Sequence, residues 1–502
     1  MSSNVAVKKM SLFSAVLIGT TSMVGSGWLF SAQLAAKNAG NWSFLAWILA
    51  ALFVMTIALC FSQVVSLYPV RGATTRSSAI SHNSIFAMPF AFANWFGVVV
   101  VISSEALATT QYLSGVKSMN WLMHDGVLTN AGIFFALFVL FLYLMINFYG
   151  VKVLSKVNNL ITIFKMTVPF IIVVIFIIYS YINSSNHVNM FSQDIPNNSQ
   201  YGFSSALAAI VTGGLIYTFN GFQTVGSYAS EVKNPGKNIP LAIFLALLIV
   251  LTLYLGLQYA FMQAVPYNYL VEKGGWAGLD FDSPLLQLST LLGLNYLSIL
   301  FISDSIVSPS ATGYTYLGAS SRMLYAMSSE GQMPRYFAKI TPVVNISHRS
   351  LLANFILSAI FLFFSDNWAS IMLIVTGFHI IGYMAAPVSM GALMPRTRIF
   401  GLIVFIMIVL ILNTLEIQAR MNLGIILIIL MTIYSSIEYK RIGIKNLLIL
   451  VLPFIIFISV TAIIHSYVID ACIGAIFYLL VTDKRYVEFC KSTANEENII
   501  VD

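Results

Sequence analysis

The sequence predicts an all-α polytopic membrane protein built from two five-segment repeats of opposite orientation, each opening on a broken helix, with additional C-terminal membrane helices. Three observations carry this. The 502 residues are 59% hydrophobic and 9% charged, with mean hydropathy +0.87, whereas soluble domains carry about 25% charged residues. The first apolar segment is interrupted by Thr21-Ser22-Met23-Val24-Gly25-Ser26-Gly27, and a second interruption, Thr218-Phe219-Asn220-Gly221-Phe222-Gln223, opens the second half. Glycine is roughly 1 kcal/mol worse than alanine in a helix, and backbone leaving the helix inside a bilayer must face protein or a cavity. Third, the basic residues are strongly one-sided. Of 25 Lys and Arg, only Lys37, Lys117, Lys273 and Arg420 fall in outer loops, and Lys165 lies within a span. The rest face one side, which places both termini in the cytoplasm.

In chain order, residues 1–10 form a cytoplasmic N-terminus and 11–182 the first repeat, with segments near 11–36, 43–68, 88–115, 128–148 and 157–182. An extracytoplasmic loop covers 183–202. The second repeat, 203–395, has segments near 203–229, 239–264, 295–326, 350–365 and 368–393. Each approaches the roughly 20 residues that cross a hydrocarbon core. Ser283-Pro284 predicts a short helix over 284–292. Residues 396–482 add segments near 399–415, 421–437, 446–464 and 467–482, and 483–502 form a cytoplasmic tail. Several of these last segments are short, so the total is twelve to fourteen. No cleavable signal peptide is expected, because Lys8 and Lys9 precede a long apolar segment and further spans follow.

Paired glycine-interrupted segments in two inverted halves point to a substrate site near the bilayer midplane, where the breaks meet. Close helix packing alone would also use glycine, but it does not require the interruptions to be paired and polar.

Three motifs then carry a family resemblance. Val24-Gly25-Ser26-Gly27-Trp28-Leu29-Phe30 resembles the first-helix signature of the amino acid–polyamine–organocation (APC) superfamily. Phe219-Asn220-Gly221-Phe222-Gln223, with Glu231-Val232-Lys233-Asn234-Pro235 and Ile239-Pro240, resembles its sixth-helix signature. Ser320-Ser321-Arg322-Met323-Leu324-Tyr325-Ala326-Met327, with Gly331 and Pro334, resembles the end of the eighth helix. The match runs from about residue 10 to 395. Trp28 and Gln223 resemble the branch containing aspartate–proton symporters; many exchangers of the superfamily have Glu where Gln223 stands. The resemblance implies a LeuT-type fold, an amino acid permease of the plasma (bacterial inner) membrane and no cofactor.

The broken helices suit an amino acid. Amides freed at the new helix N-terminus, at Ser22, Val24, Gly25, Ser26 and Gly27, attract a carboxylate together with the helix dipole. Carbonyls near Thr20, Thr21, Phe219 and Asn220 can accept from an ammonium group. Gly221 and the first-segment glycines let substrate approach the backbone. Phe222 and Phe219 are candidates for an apolar lid, with ordinary packing the alternative for Phe219.

Ionisable residues inside a membrane are functional candidates. Glu105, beside Ser104 in the third segment with Tyr112 two turns further along, is a candidate proton carrier or pocket residue. Asp304 is expected to be structural, and His379 a satisfied core histidine rather than a relay. Arg71, Arg76, Glu231 and Arg322 lie near cytoplasmic ends, where an inner-gate salt bridge or ordinary interfacial charge would put them. Lys165 stands two turns inside the fifth segment. Snorkelling is one reading. The other has its ammonium facing the first and eighth segments, bonding carbonyls of the broken first helix and the hydroxyl of Ser308 or Ser310. The resemblance points the same way, since proton-coupled, sodium-independent members have a lysine there.

Other classes are disfavoured. There is no HExxH, no paired aspartates and no Cys/His spacing for a metal, and Cys60, Cys472 and Cys490 form no disulfide framework. The net charge of +7 lies in loops and forms no nucleic-acid patch. A transporter-like amino acid sensor would usually need an output domain larger than these short ends. The expectation is a sodium-independent, proton-coupled permease for aspartate or glutamate, with a neutral amino acid permease or an exchanger as the alternative. Its partners would be the amino acid, protons and the lipid bilayer; the oligomeric state is open.

Overall fold

The computed structural model describes residues 10–69, 73–149, 151–183, 195–227, 229, 232–340 and 347–494. Ser11 caps the first helix, α1 (Leu12–Met23), its hydroxyl accepting from Ser14 N. The chain leaves helical geometry at Val24, where φ is −88° and ψ is 83°, and resumes as α2 (Gly27–Ala39). It then runs through α3 (Ser43–Leu67) and the short α4 (Ala73–Ser81) into α5 (Ser84–Ser114). Asn83 caps α5 by accepting from Phe86 N at 2.8 Å. After a two-stranded hairpin, β1 (Met123–His124) and β2 (Val127–Leu128), come α6 (Asn130–Tyr149) and α7 (Val151–Ile182).

The second half starts with three pieces rather than two: α8 (Phe203–Thr212), α9 (Leu215–Thr218) and α10 (Thr224–Ser227). The expected interruption at 218–223 is present. A further one precedes it at Gly213-Gly214, where Gly214 takes φ +71°. Then follow α11 (Pro235–Ala264), α12 (Tyr267–Glu272), α13 (Pro284–Leu291), which corresponds to the short helix expected there, and α14 (Ser298–Ser329). The segment after them is α15 (His348–Leu362), and the next is split into α16 (Trp368–Tyr383) and α17 (Ala385–Leu393). The C-terminal part holds α18 (Arg398–Asn413), α19 (Ile417–Ile442), α20 (Ile444–Ile463), α21 (Tyr467–Val481) and α22 (Lys484–Ala494).

Nine of the described helices are long and apolar enough to cross a membrane by length and composition. The core is built around α5, which is buried along nearly its whole length and packs on α14 and α16. Helix α11 packs against α1 and α3, and α14 also contacts α7. The outward faces of α19, α20 and α21 are lined by exposed Ile, Leu and Val, as a lipid-facing surface requires.

Two features of the C-terminal part differ from expectation. Arg420, read as an outer-loop charge, is only 2% exposed. It donates to Thr461 O at 3.1 Å and to His465 Nδ1 at 2.8 Å, and its guanidinium lies 3.7 Å from Asp470, which Asn413 also bonds. Removing one member of a buried pair leaves the other charge uncompensated, at a cost of about 3–5 kcal/mol. Arg420→Met is therefore expected to lower the unfolding temperature of the purified protein sharply, and the double variant Arg420→Met/Asp470→Leu to recover much of it. Equal Tm values for the wild type and the single variant would refute this.

Residues 484–494, read as tail, form α22, which docks where α4 meets α5. Asn83 Nδ2 donates to Cys490 O and Thr493 Oγ1, each at 3.0 Å. His82 Nε2–H donates to Val481 O at 2.9 Å, and its ring stacks on Phe86. Burial and the nearby Lys491 push the His82 imidazole down from 6.5 to about 4, against the Val481 hydrogen bond, which raises it. The unfolded chain takes up a proton at this histidine below about pH 6.5, but the folded chain only near 4. Stability at this site is thus complete above pH 6.5 and declines by roughly 3 kcal/mol as the pH falls to about 4. Thermal unfolding of wild type and His82→Gln across that range tests this; the variant should show the shallower decline.

Candidate functional site

The two interruptions abut. Gly221 takes φ +118°, and a Cβ there would fall 2.5 Å from Ser22 O, so only glycine lets the two unwound backbones meet. A Cβ on Gly27 would fall 2.8 Å from Thr218 Cγ2. Val24 and Phe219 are fully buried beside them.

Unwinding frees amides at the start of α2, and the structure shows what one of them holds. Ser26 N donates to Glu105 Oε2 at 3.0 Å, while Glu105 Oε1 accepts from Tyr217 OH at 2.7 Å. Tyr217 OH also lies 2.8 Å from Ser104 Oγ and 3.2 Å from Ser26 Oγ. Trp368 Nε1 donates to Ser26 Oγ at 2.9 Å, and its ring meets Tyr217 edge-on. A directional chain follows, from the Trp368 indole to the Ser26 hydroxyl, on to Tyr217 and finally to the carboxylate. Hydrogen bonds to an ionised acceptor are roughly twice as strong as neutral ones. The cradle is therefore built for a carboxylate, and a side-chain carboxylate fills it here.

Lys165 is 3% exposed and does not snorkel. Its Nζ donates to Thr21 O at 3.3 Å, a carbonyl at the broken end of α1, and to Thr312 Oγ1 at 2.8 Å. The carbonyl matches expectation; the hydroxyl does not. Ser308 points its hydroxyl to Asp304 Oδ1, and Ser310 lies against Tyr143 OH. Thr312 is one turn beyond Ser308 on the same helix face, and it also flanks the break. A Cβ on Gly25 would lie 2.9 Å from Glu105 Oε1 and 3.2 Å from Thr312 Oγ1. Gly25 thus separates the Glu105 carboxylate from the Lys165–Thr312 pair.

In the unwound link between α9 and α10 and on α16, four buried polar side chains form a second cluster. Asn220 Oδ1 accepts from Tyr383 OH at 3.3 Å and from Gln223 Nε2 at 3.4 Å. His379 holds its ring by Nδ1 to Val375 O at 2.9 Å, with Nε2 facing Asn220 Nδ2 at 3.3 Å. It is a satisfied core histidine that touches the sixth-segment break. A small cavity adjoins this cluster on the α4 side, lined by Phe61, Ser77, Asn94, Phe222, Gln223 and Tyr383.

Several expectations need correction. Phe219 stands edge-on against Trp47 and Tyr254, the packing alternative of the two. Phe222 rests on Phe61 and Tyr383. The Thr21 hydroxyl bonds back to Leu17 O, so the residue contributes its carbonyl alone. Thr20 O is taken by Val24 N. Tyr112 lies outside the site, its hydroxyl accepting from Leu286 N in α13. Arg322 is exposed and bonds Gly318 O on its own helix; among the described residues it makes no ion pair. Arg76 instead pairs with Glu330 at 2.9 Å, tying α4 to the end of α14. Glu231 and Arg71 lie outside the described residues. Tyr217, Thr312, Trp368 and Tyr383 were missed. Tyr217 stands one residue before the second interruption, a position that marks it; Thr312 lies in a Ser/Thr-rich run with nothing to distinguish it.

A model of the family described as amino acid permease matches residues 10–430. The chain is 35% identical over 391 residues to the glutamate/serine transporter AimA of Bacillus subtilis, covering 77% of this chain and 71% of the relative. It is 29% identical over 388 residues to the aspartate-proton symporter of the same organism, covering 77% and 73%. The methylthioribose transporter of that organism is 24% identical over 401 residues, with 78% and 79% covered.

Proposed function

The chain belongs to the amino acid permease family of the APC superfamily, with its LeuT-type fold, and from this premise we propose that it carries an acidic amino acid together with a proton and without sodium. It is a membrane transporter and not an enzyme. The observation that carries the proposal is the seat of Lys165. Its ammonium fastens the broken end of α1 to α14, a position from which loss of one proton releases one half of the first segment. A lysine amine can give up that proton; a guanidinium cannot.

Glu105 supplies the substrate step. The substrate carboxylate takes the place at Ser26 N and Tyr217 OH now filled by Glu105, which leaves once protonated. A proton and a carboxylate are thereby taken up together, since two carboxylates cannot share that cradle while both ionised. Tyr217 and Trp368 close over the cradle from the extracytoplasmic side, and the cavity on the α4 side lies toward the cytoplasm, with both termini inside. The names of two relatives, a glutamate/serine transporter and an aspartate-proton symporter, support acidic substrates.

A second reading, a small neutral substrate such as serine, is favoured by the uncharged Asn220–Gln223–His379–Tyr383 cluster. Uptake in proteoliposomes separates the two. Labelled L-glutamate, L-aspartate and L-serine are offered with and without an imposed inward proton gradient, in sodium and in potassium. Gradient-stimulated, sodium-independent uptake of an acidic amino acid is expected. A requirement for sodium, or competition by lysine or arginine alone, would overturn the proposal.

A further inference from the structure

Asp304 is fully buried in α14 and lies at the Trp28 indole. Its Oδ2 accepts from Trp28 Nε1 at 2.8 Å, and its Oδ1 accepts from Ser308 Oγ at 2.8 Å. Trp28 is the residue directly after Gly25-Ser26-Gly27, in the first turn of α2, and has no exposed surface. Its ring stacks on Phe301, one turn before Asp304 on the same helix, with centroids 6.4 Å apart and planes at 24°. The indole is therefore gripped both by its face and by its N–H.

The same face of α14 holds the other side of the break. Thr312, eight residues after Asp304 and about 12 Å along the axis, bonds Lys165, which in turn bonds Thr21 O. Helix α14 thus acts as a splint across the interrupted first segment. Asp304 grips the α2 half through Trp28, and Thr312 grips the α1 half through Lys165. Between the grips lies the amide of Ser26. Its direction follows from where the first turn of α2 is set, because one helical turn is a rigid hydrogen-bonded unit. Burying this carboxyl group costs desolvation, which the hydrogen bonds it accepts from Trp28 and Ser308 offset.

We propose that Asp304 is a positioning residue for the carboxylate cradle: through Trp28 it fixes the first turn of α2 so that Ser26 N points at the bound carboxylate. This deepens the transport reading above and rests on it. The role is one of acceptance, so asparagine, which keeps an acceptor oxygen, should serve and alanine should not.

The test uses full-length purified protein in proteoliposomes, with L-glutamate, L-aspartate and L-serine as probes. Trp28→Phe keeps an aromatic ring against Phe301 but loses the N–H and part of the buried indole's volume; Asp304→Ala loses the acceptor alone; Asp304→Asn keeps it; Ser308→Ala leaves the Trp28 bond intact. Trp28→Phe and Asp304→Ala should each raise KM by about 10- to 100-fold, the size expected for one hydrogen bond to a charged group, with the maximal rate little changed. Their combination should be no worse than either alone, and Asp304→Asn and Ser308→Ala should stay within a few-fold of wild type. Hydrogen exchange of the backbone over residues 21–34 gives a readout independent of substrate, and it should quicken in the first two variants only. Wild-type KM in folded Trp28→Phe, multiplicative effects in the double variant, or Asp304→Asn as impaired as Asp304→Ala would each overturn the proposal. Quickened exchange in the expected variants, in a wild type that binds none of the three amino acids, would uphold the clasp and overturn the substrate reading instead.

Discussion

Proton-driven amino acid uptake is expected to fall to background when Lys165 is replaced by alanine, while the protein still inserts and binds substrate within a few-fold of wild type. The ammonium makes two contacts, to Thr21 O and Thr312 Oγ1, and neither belongs to the cradle at Ser26. Removing it untethers α1 from α14 without touching the amide that receives the carboxylate. Uptake by the wild type should rise as the outside is made more acidic than the inside, since the proton enters with the substrate; Lys165→Ala should give a flat profile. Lys165→Arg should also fail, because the guanidinium keeps its proton and its fork is larger than the site between Thr21 and Thr312. Unchanged gradient-driven uptake by Lys165→Ala would refute the coupling role. Lost binding with retained folding would move Lys165 into the substrate site itself.

Gly25→Val is expected to abolish substrate binding. A Cβ at this position would stand 2.9 Å from Glu105 Oε1 and 3.2 Å from Thr312 Oγ1, and valine adds two methyl groups beyond it. Glu105 would be driven from Ser26 N, and the volume needed by an incoming carboxylate would be filled. Loss of the cradle's charge-assisted bonds, at about 1.5–3 kcal/mol each, corresponds to about 100-fold or more in affinity. Gly25→Ala should show a milder form of the same effect, since the Glu105 side chain can give way by a few tenths of an ångström. Equilibrium binding of radiolabelled substrate to monodisperse variant protein decides it. Near-wild-type affinity in Gly25→Val would remove the cradle from the substrate path.

Much of the architecture could be read from the chain because it follows from local physics. Segment positions follow from hydropathy, and the helices observed lie close to the expected intervals. The interruption at Gly25–Gly27 follows from two glycines and two serines in apolar surroundings, and Gly221 marks its counterpart. Lys165 stood out because a lysine in the interior of a span is rare. The break at Gly213-Gly214 carried a weaker signal: paired glycines in a membrane segment are as often a packing surface.

What the sequence determined by itself was the class of the protein, the order of its segments, the two breaks and the buried Glu105, Lys165, Asp304 and His379, though not the buried Arg420–Asp470 pair. Each depends on residues near one another in the chain. Tertiary structure alone decided which group faces which: that Glu105 sits on Ser26 N, 79 residues away; that Asp304 takes the Trp28 indole, 276 residues away; that Phe219 turns to Trp47 and Tyr254; and that Lys165 selects Thr312 over Ser308 or Ser310. The reason is rotation and rise. Each residue along a helix turns the side chain by about 100° and raises it by about 1.5 Å, so Ser310 faces Tyr143 while Ser308, on the face of Thr312, lies a turn away and bonds Asp304. The rotation and depth at which α14 settles against α1, α2 and α7 follow from the packing of the whole bundle, which no single segment encodes.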